Sequence, residues 1–227
     1  MCTTAVCCFF PLGFAWDVNY LVAIKVIIPC LTQNYTCVLC LVMQITELLP
    51  NLLLIQPKVF EDHRGHFFES YRQDALRDFG VDPHFVQDNQ SLSNKGILRG
   101  LHYQIKPYDQ GKLVRVITGS VLDVAVDIRK QSPTYGQHVA RLLSAENKEM
   151  MYIPPGFAHG FVTLQDHTIF LYKCTNYYHP QSEGGIKWDS KSLNIKWNLS
   201  QYGIDNPILS AKDLVLPDFD GFDSPFD

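Results

Sequence analysis

The stretch Val114-Arg-Val-Ile-Thr-Gly-Ser-Val-Leu-Asp-Val-Ala-Val-Asp-Ile128 contains two strand-like runs joined by a short turn around Gly119. In the second run Leu122, Val124, Val126 and Ile128 share one face, whereas Asp123 and Asp127 share the other. Alternation with a period of two on both sides of a glycine-containing turn is typical of a β-hairpin. The stretch therefore predicts two antiparallel strands.

Similar runs recur on both sides of this hairpin, every eight to twelve residues and with turn residues between them. This spacing is typical of an antiparallel sandwich or barrel. A short helix is predicted over 72–79 and is ended by Gly80. A helical turn is predicted near 190–193, and a corner is predicted over 155–160. Further strands are predicted over 52–60, 67–71, 85–91, 96–104, 139–143, 150–154, 161–164 and 169–175.

The composition excludes several classes of protein. The 227 residues are 46% hydrophobic and 19% charged, as in an ordinary globular protein, and form one β domain with no internal repeat. The net charge of −4 gives no sign of the clustered basic face that binding to nucleic acid requires. Six of the seven cysteines precede residue 41, which favours a reducing, cytoplasmic compartment for the rest of the chain.

Residues 1–42 differ in composition from the rest and are interpreted as an extension, with the domain running from Met43 to the C-terminus. Lys25 and Pro29 interrupt the apolar runs, so no stretch reaches the roughly 18 residues that span a bilayer. A membrane or targeting role for this segment is the alternative. Cys37-Val-Leu-Cys40 has the CxxC spacing, but without a second pair it does not indicate a metal or redox site.

The run Gly96-Ile-Leu-Arg-Gly-Leu-His-Tyr-Gln104 places Arg99 and His102 in an apolar strand. Buried cations such as Arg99 and Lys112 would be costly without an anion, so an anionic ligand is expected. Arg99 and His102 are three residues apart, and this odd spacing puts them on opposite faces of a regular strand. Gly100 could mark a bulge that brings both into one cavity. On residue type alone, a structural histidine remains the alternative to a base.

Two further residues admit both structural and functional interpretations. His159 is bounded by glycine and resembles a metal ligand of β-helical proteins, but a His-x-His pair and a carboxylate are missing. No metal is therefore expected. Tyr172 should share a strand face with Phe170 and Cys174, and without further context this position favours a core tyrosine.

Eight short motifs occur in an order that resembles the dTDP-4-dehydrorhamnose 3,5-epimerase family, and the likeness extends from about Met43 to the C-terminus. They are Arg64-Gly-x-Phe-Phe-Glu69, Gln87-Asp-Asn89, Leu98-Arg-Gly-Leu-His-Tyr-Gln104, Gln110-Gly-Lys112, Pro155-Gly-Phe-Ala-His-Gly-Phe161, Tyr172-Lys173, Ser182-Glu-Gly184 and Leu209-Ser-x-Lys-Asp213.

The resemblance implies a mainly β, cupin-type double-stranded β-helix (jelly roll) with a few short helices. It also implies a homodimer without a metal or cofactor, and with no nucleic-acid or membrane partner. The implied activity is that of an isomerase that inverts dTDP-4-dehydro-6-deoxy-D-glucose at C3 and C5. The product, dTDP-4-dehydro-L-rhamnose, leads to dTDP-L-rhamnose.

The resemblance also implies roles for particular residues. His102 is the base that removes the protons α to the C4 ketone, a task suited to histidine near neutral pH. Asp213 holds its ring, Tyr172 is the acid on the opposite face, and Lys112 stabilises the enolate oxygen.

Arg64, Arg99 and Lys212 are expected at the diphosphate, and Phe67 and Tyr178 are candidates to stack on the thymine or sugar. His63 and His66 depart from the residues usual in the family, which could alter nucleotide affinity. The other expected substrate contacts are Glu69, Gln87, Asp88, Asn89, His159 and Glu183.

Two alternatives accompany this interpretation. The same acid and base could serve one carbon only, as in a single-position epimerase of a related dTDP-4-keto-6-deoxy sugar. A cupin that binds a nucleotide sugar without catalysis is the second alternative. Deuterium incorporation from D2O at both C3 and C5, at one carbon, or at neither distinguishes the three.

Overall fold

A computed structural model describes residues 43–227, which form two facing antiparallel sheets and a long C-terminal segment. The six-stranded sheet has the order β1-β2-β10-β7-β12-β5. Its strands are β1 (Met43–Leu49), β2 (Leu52–Pro57), β5 (Gln87–Ser93), β7 (Lys112–Thr118), β10 (Met150–Ile153) and β12 (Thr168–Cys174).

The five-stranded sheet has the order β13-β6-β11-β8-β9. Its strands are β6 (Leu98–Gln104), β8 (Ser120–Asp127), β9 (His138–Ser144), β11 (Phe157–Thr163) and β13 (Glu183–Gly185). A separate hairpin pairs β3 (Phe60–Asp62) with β4 (Gly65–Phe67). The remaining elements are α1 (Gln73–Arg77) and the 3-10 helices Pro180–Ser182, Leu199–Tyr202 and Asp213–Val215.

Apolar side chains from both sheets fill the space between them. Phe161 of β11 and Phe170 of β12 stack with their ring centroids 4.2 Å apart. Val114 and Val121 contribute to the same buried cluster from β7 and β8. This arrangement of two packed antiparallel sheets confirms the prediction of a mainly β jelly roll of the cupin type.

The other face of the five-stranded sheet is covered by the C-terminal segment. Ile186, Trp197 and Phe226 pack there against the aliphatic face of β8. Because both faces of β8 are covered, every residue of this strand is buried, including Asp123 and Asp127.

Three predicted segments differ from the structure. The predicted strand over 52–60 is interrupted at Lys58 and Val59, and its two parts, β2 and β3, belong to different sheets. The predicted strand over 67–71 ends at Phe67, since β4 belongs to a short hairpin and the chain then turns towards α1. The predicted corner over 155–160 is confined to the turn at Gly156, whose φ of +86° suits glycine. His159 accordingly lies in the middle of β11, where both neighbouring strands hold it.

The helical turn predicted near Ser190 is a single turn, with an Asn194 N–H to Ser190 C=O hydrogen bond of 3.3 Å, and it does not continue as a helix. The expected extension over 1–42 and the CxxC at Cys37 lie outside the described residues. Within residues 43–227, no helix has the length and hydrophobicity needed to cross a bilayer.

Candidate active site

A bulge in β6 determines where the two residues of the central motif point. His102 lies opposite His159 and Arg99 opposite Phe161, so three steps along β6 match two along β11. Gly100 sits in the bulge with a φ of +122°, and a Cβ there would lie 2.5 Å from the Gly160 Cα. Arg99 and His102 consequently line the same cavity, which confirms the predicted bulge.

The cavity lies between the sheets and has two connected lobes, of about 480 Å³ and about 320 Å³. His102, Lys112 and Tyr172 line both lobes. The first lobe also contains Arg99, His159, Lys212 and Asp213, and the second contains Gln87, Asn89, Tyr178 and Glu183.

His102 is paired with a carboxylate from the C-terminal segment. Its Nε2 lies 2.5 Å from Oδ1 of Asp213, a residue that is buried at the start of a 3-10 helix. Burial opposes ionisation of Asp213, but hydrogen bonds with His102 and Ser210 outweigh it and hold the pKa of this carboxyl below its ordinary value. The pair therefore combines a histidine with a carboxylate that stays ionised near neutral pH.

Lys112 and Tyr172 project from the opposite wall of the cavity. They belong to the neighbouring strands β7 and β12 of the six-stranded sheet, whereas His102 belongs to the five-stranded sheet. Burial raises the pKa of Tyr172, so its hydroxyl is protonated at neutral pH. Burial lowers the pKa of Lys112, and the carboxylates of Asp123 and Glu183 counteract that effect.

His159 forms a second buried pair, with Asp123 of the neighbouring strand β8. The His159 Nε2 lies 2.9 Å from Oδ2 and 3.1 Å from Oδ1 of Asp123. Burial lowers the pKa of His159, although the carboxylate opposes that shift. The imidazole is therefore neutral at pH 7.

Groups suited to anions gather in the first lobe. The Arg99 guanidinium donates to Ser93 Oγ over 3.1 Å, and its other N–H groups have no hydrogen-bond partner among residues 43–227. Lys212 Nζ lies 2.6 Å from Glu183 Oε1. Ser91 Oγ, which lies in the same lobe, is buried and has no hydrogen-bond partner among the described residues.

The second lobe contains the polar residues at the ends of β5 and β13. Gln87 Nε2 donates to Asn89 Oδ1 over 3.0 Å, and the Tyr178 hydroxyl donates to Glu183 Oε2 over 2.8 Å. Asp88 alternates with these residues along β5 and is paired with Lys173 at 3.0 Å. It lines neither lobe, so the structure does not place it with Gln87 and Asn89.

Three other expected ligand contacts also lie outside the cavity. Arg64 is exposed at the turn of the β3–β4 hairpin and is paired with Asp62. Phe67 is 68% exposed, and Glu69 lies 3.6 Å from Arg72.

The segment after this hairpin lies on the outer face of the six-stranded sheet, where the Arg115 guanidinium sits over the ring of Phe68. Arg115 is three residues from Lys112 on a regular strand, so their side chains point to opposite faces.

Sequence reasoning did not identify Ser91 or Asp123 as residues of this site. Ser91 follows the Gln87-Asp-Asn89 motif at the same period-two spacing, so its position on β5 was available from alternation. The role of Asp123 could not be predicted from alternation, because its partner His159 is 36 residues away along the chain. Within residues 43–227, no group of three or more His, Cys, Asp or Glu side chains is arranged to hold a metal ion.

The sequence profile of the dTDP-4-dehydrorhamnose 3,5-epimerase family matches residues 46–221. The chain belongs to this family. It is 55% identical over 170 residues to the dTDP-4-dehydrorhamnose 3,5-epimerase of Salmonella typhimurium, covering 74% of this chain and 91% of that protein.

Solved structures of family members have the same fold. The dTDP-6-deoxy-D-glucose-3,5-epimerase of Legionella pneumophila, in complex with dTDP-4-keto-L-rhamnose, is 46% identical with a TM-score of 0.74. The match covers 80% of this chain and 95% of that one. A 3'-monoepimerase from Streptomyces bikiniensis, in complex with dTDP-quinovose, is 32% identical with a TM-score of 0.70, covering 76% and 85% of the two chains.

Proposed function

We propose that this chain is an isomerase that converts dTDP-4-dehydro-6-deoxy-D-glucose to dTDP-4-dehydro-L-rhamnose by inverting C3 and C5. The observation that carries the proposal is the position of the acid and base candidates on opposite walls of one cavity. His102 projects from the five-stranded sheet and Tyr172 from the six-stranded sheet. A sugar ring held between them would expose one face to each group, as inversion requires.

His102 serves as the base in this proposal. The protons at C3 and C5 are α to the C4 ketone, so removal of either forms an enolate. Asp213 holds the His102 ring through the Nε2 contact and stabilises the imidazolium that forms as the proton arrives. The Lys112 ammonium then stabilises the negative charge on the enolate oxygen.

Tyr172 completes the inversion from the other side. Its hydroxyl is protonated at neutral pH because burial raises its pKa. It can therefore donate a proton to the carbon from the face opposite His102. These steps need an acid, a base and a cation, so the proposed reaction uses no metal or cofactor.

The diphosphate binds in the first lobe in this proposal. Arg99 and Lys212 supply positive charge there, and the unpartnered hydroxyl of Ser91 is free to donate to a phosphate oxygen. Gln87, Asn89, Glu183 and His159 provide the neighbouring polar contacts. The dTDP-sugar complex of the Legionella relative supports this class of ligand.

A homodimer accounts for Arg64, Phe67 and Glu69 within the same proposal. The family resemblance predicts that they contact substrate, yet they line neither lobe of the cavity of their own chain. In a two-fold symmetric dimer, the exposed β3–β4 hairpin of one subunit can reach the cavity of the other. A cytoplasmic location is consistent with Cys174 being a buried free thiol.

Deuterium incorporation from D2O tests the proposed function. We expect the protein to exchange the protons at both C3 and C5 of dTDP-4-dehydro-6-deoxy-D-glucose and to release the L-rhamno product. Exchange at C3 alone would instead support a single-position epimerase, which the similarity to the 3'-monoepimerase favours as the second candidate. Binding without exchange would leave only a nucleotide-sugar-binding cupin.

A further inference from the structure

Gln104 is a buried polar residue in the wall of the second lobe, and the proposed reaction does not use it. It lies two residues after His102 on β6, so both side chains point to the same face of the strand. Its amide oxygen accepts from the His179 N–H over 2.8 Å. Its amide nitrogen donates to the C=O groups of Tyr108 and Tyr177, over 2.6 Å and 3.2 Å. Both N–H groups of the amide are thus used within the chain, which leaves Gln104 no donor for a ligand.

A second glutamine holds the same segment, residues 177–179, from the opposite wall. Gln87 of β5 accepts from the Tyr178 N–H over 3.0 Å and donates to Asn89 Oδ1 over 3.0 Å. Asn89 lies directly opposite Tyr172 in the pairing of β5 with β12. The wall that carries the proposed acid is therefore bonded to the middle of this segment, and the wall that carries the proposed base is bonded to both of its ends.

Residues 177–179 form a bridge between the two walls at the second lobe. The segment follows β12 and precedes β13, and it belongs to neither sheet. Two glutamine side chains, rather than a neighbouring strand, hold its backbone. The separation of the walls matters for catalysis, because a misplacement of about 1 Å in a reacting group can slow a reaction about 10²-fold.

We propose that Gln104 is a positioning residue that fixes the distance between His102 and Tyr172 through this bridge. The inference rests on the proposed function, because it requires an acid and a base that act on the same sugar. The ring of His102 is held separately, by Asp213 at 2.5 Å. Loss of the Gln104 amide therefore leaves proton removal by His102 intact and impairs proton delivery from Tyr172.

The fate of the enolate in D2O tests this role. Return of deuterium from the His102 face gives labelled starting sugar, whereas delivery from Tyr172 gives the inverted product. We expect Gln104→Met to raise the ratio of labelled starting sugar to product by about 10- to 100-fold. A purely structural defect would reduce the amount of active protein and leave this ratio unchanged.

Asn176→Ala is the matched control. Asn176 also bonds to this segment, since its Oδ1 accepts from the Tyr177 N–H over 2.9 Å. Its Nδ2 donates to the Pro107 C=O over 3.0 Å, so it ties the segment to a loop and to neither sheet. We expect this variant to keep the ratio of the unmodified protein. A rise as large as that in Gln104→Met would contradict the specific role of Gln104.

A double-variant cycle tests whether the two glutamines act through one bridge. Gln87→Met should raise the ratio as well, and the double variant should raise it no further than the larger single change, because either change breaks the same connection. Independent, multiplying effects would overturn the bridge. Gln104→Glu is the second variant if Gln104→Met does not fold. It keeps the size and the acceptor for His179 but lacks both donors, so we expect a smaller rise.

The outcomes separate this inference from the proposed function. An unchanged ratio in the Gln104 variants, together with normal exchange at C3 and C5 in the unmodified protein, would overturn the positioning role alone. Absence of exchange in the unmodified protein would reject the proposed function and this inference with it.

Discussion

His102 Nε2 and Asp213 Oδ1 lie 2.5 Å apart, although 111 residues separate them in the chain. Asp213 reaches this position because the C-terminal segment is bonded to the start of β6. The Leu98 N–H donates to the Ile208 C=O over 2.9 Å, and the Ile208 N–H donates to the Gly96 C=O over 2.8 Å. The contact connects the strand that carries the proposed base with the segment that orients it.

Substitution of either member of this pair should impair proton abstraction. We expect His102→Ala to abolish solvent exchange at C3 and C5, and Asp213→Asn to slow it by about 10²- to 10⁴-fold. Exchange is measured by NMR in D2O, and dTDP binding serves as the control for folding. Normal turnover by His102→Ala would show that another group is the base.

Tyr172→Phe should separate proton removal from inversion. The base on the opposite wall is retained, so deuterium should still enter from the His102 face while net formation of the L-rhamno product falls by about 10²-fold or more. Because the ring remains, dTDP should bind as in the unmodified protein. Unchanged product formation would exclude Tyr172 as the acid.

Arg64→Ala tests the proposed dimer. We expect KM to rise about 10- to 100-fold through loss of a charge-assisted contact with the diphosphate. The matched control is Arg77→Ala, which removes another exposed arginine paired with an aspartate and should leave KM unchanged.

Mixed subunits show whether Arg64 acts across the interface. Arg64→Ala and His102→Ala subunits, unfolded and refolded together, should restore about a quarter of the active sites if each site uses Arg64 of the other subunit. Activity is measured at substrate concentrations below KM. No recovery on mixing would contradict the shared site.

Gly100→Ala should destabilise the protein by about 3 kcal/mol or more, because it combines a strained positive φ with a clash. Its Cβ would lie 2.5 Å from the Gly160 Cα and 2.7 Å from the His159 carbonyl oxygen. Gly221→Ala is the control, since this glycine also has a positive φ but no atom within 4 Å of the added Cβ. Urea unfolding compares the two, and equal losses would contradict the close approach of β6 and β11.

Glu149→Gln should reduce stability in a pH-dependent way without affecting exchange. The hydrogen bonds from Arg141 hold the pKa of the buried Glu149 below its ordinary value, despite the opposing effect of burial. The ionised Glu149 therefore contributes fully to the free energy of unfolding at a pH above its unfolded pKa of about 4.3. This contribution is lost as the pH falls through the folded pKa.

We expect the Glu149 variant to lose about 1–2 kcal/mol at pH 7, allowing for the partial exposure of Arg141. The loss should shrink towards zero as the pH falls through the folded pKa, because the carboxyl is then protonated in both states. Urea unfolding at pH 7 and at a series of lower pH values measures it. Glu146→Gln, an exposed neighbour in the same turn, should show no such dependence.

Local sequence was sufficient to predict most of the strands and the bulge at Gly100, but it did not predict β1 or β13. Alternation and turn residues are properties of neighbouring positions, and a strand shows its buried face through them. The same reasoning extended a strand over 67–71 and a corner over 155–160. Those two errors arose because partner strands, rather than local propensity, determine where β4 ends and where β11 begins.

The ordered motifs were sufficient to identify the family, and residue type made His102 and Tyr172 candidates for acid–base chemistry. Only the tertiary structure placed these two on opposite walls of one cavity and Asp213 beside His102. It also placed Asp123 behind His159 and left Arg64 outside the cavity. Such relationships depend on which strands pair and which faces meet across the core. Residues that are distant in the chain acquire them only when the sheets pack.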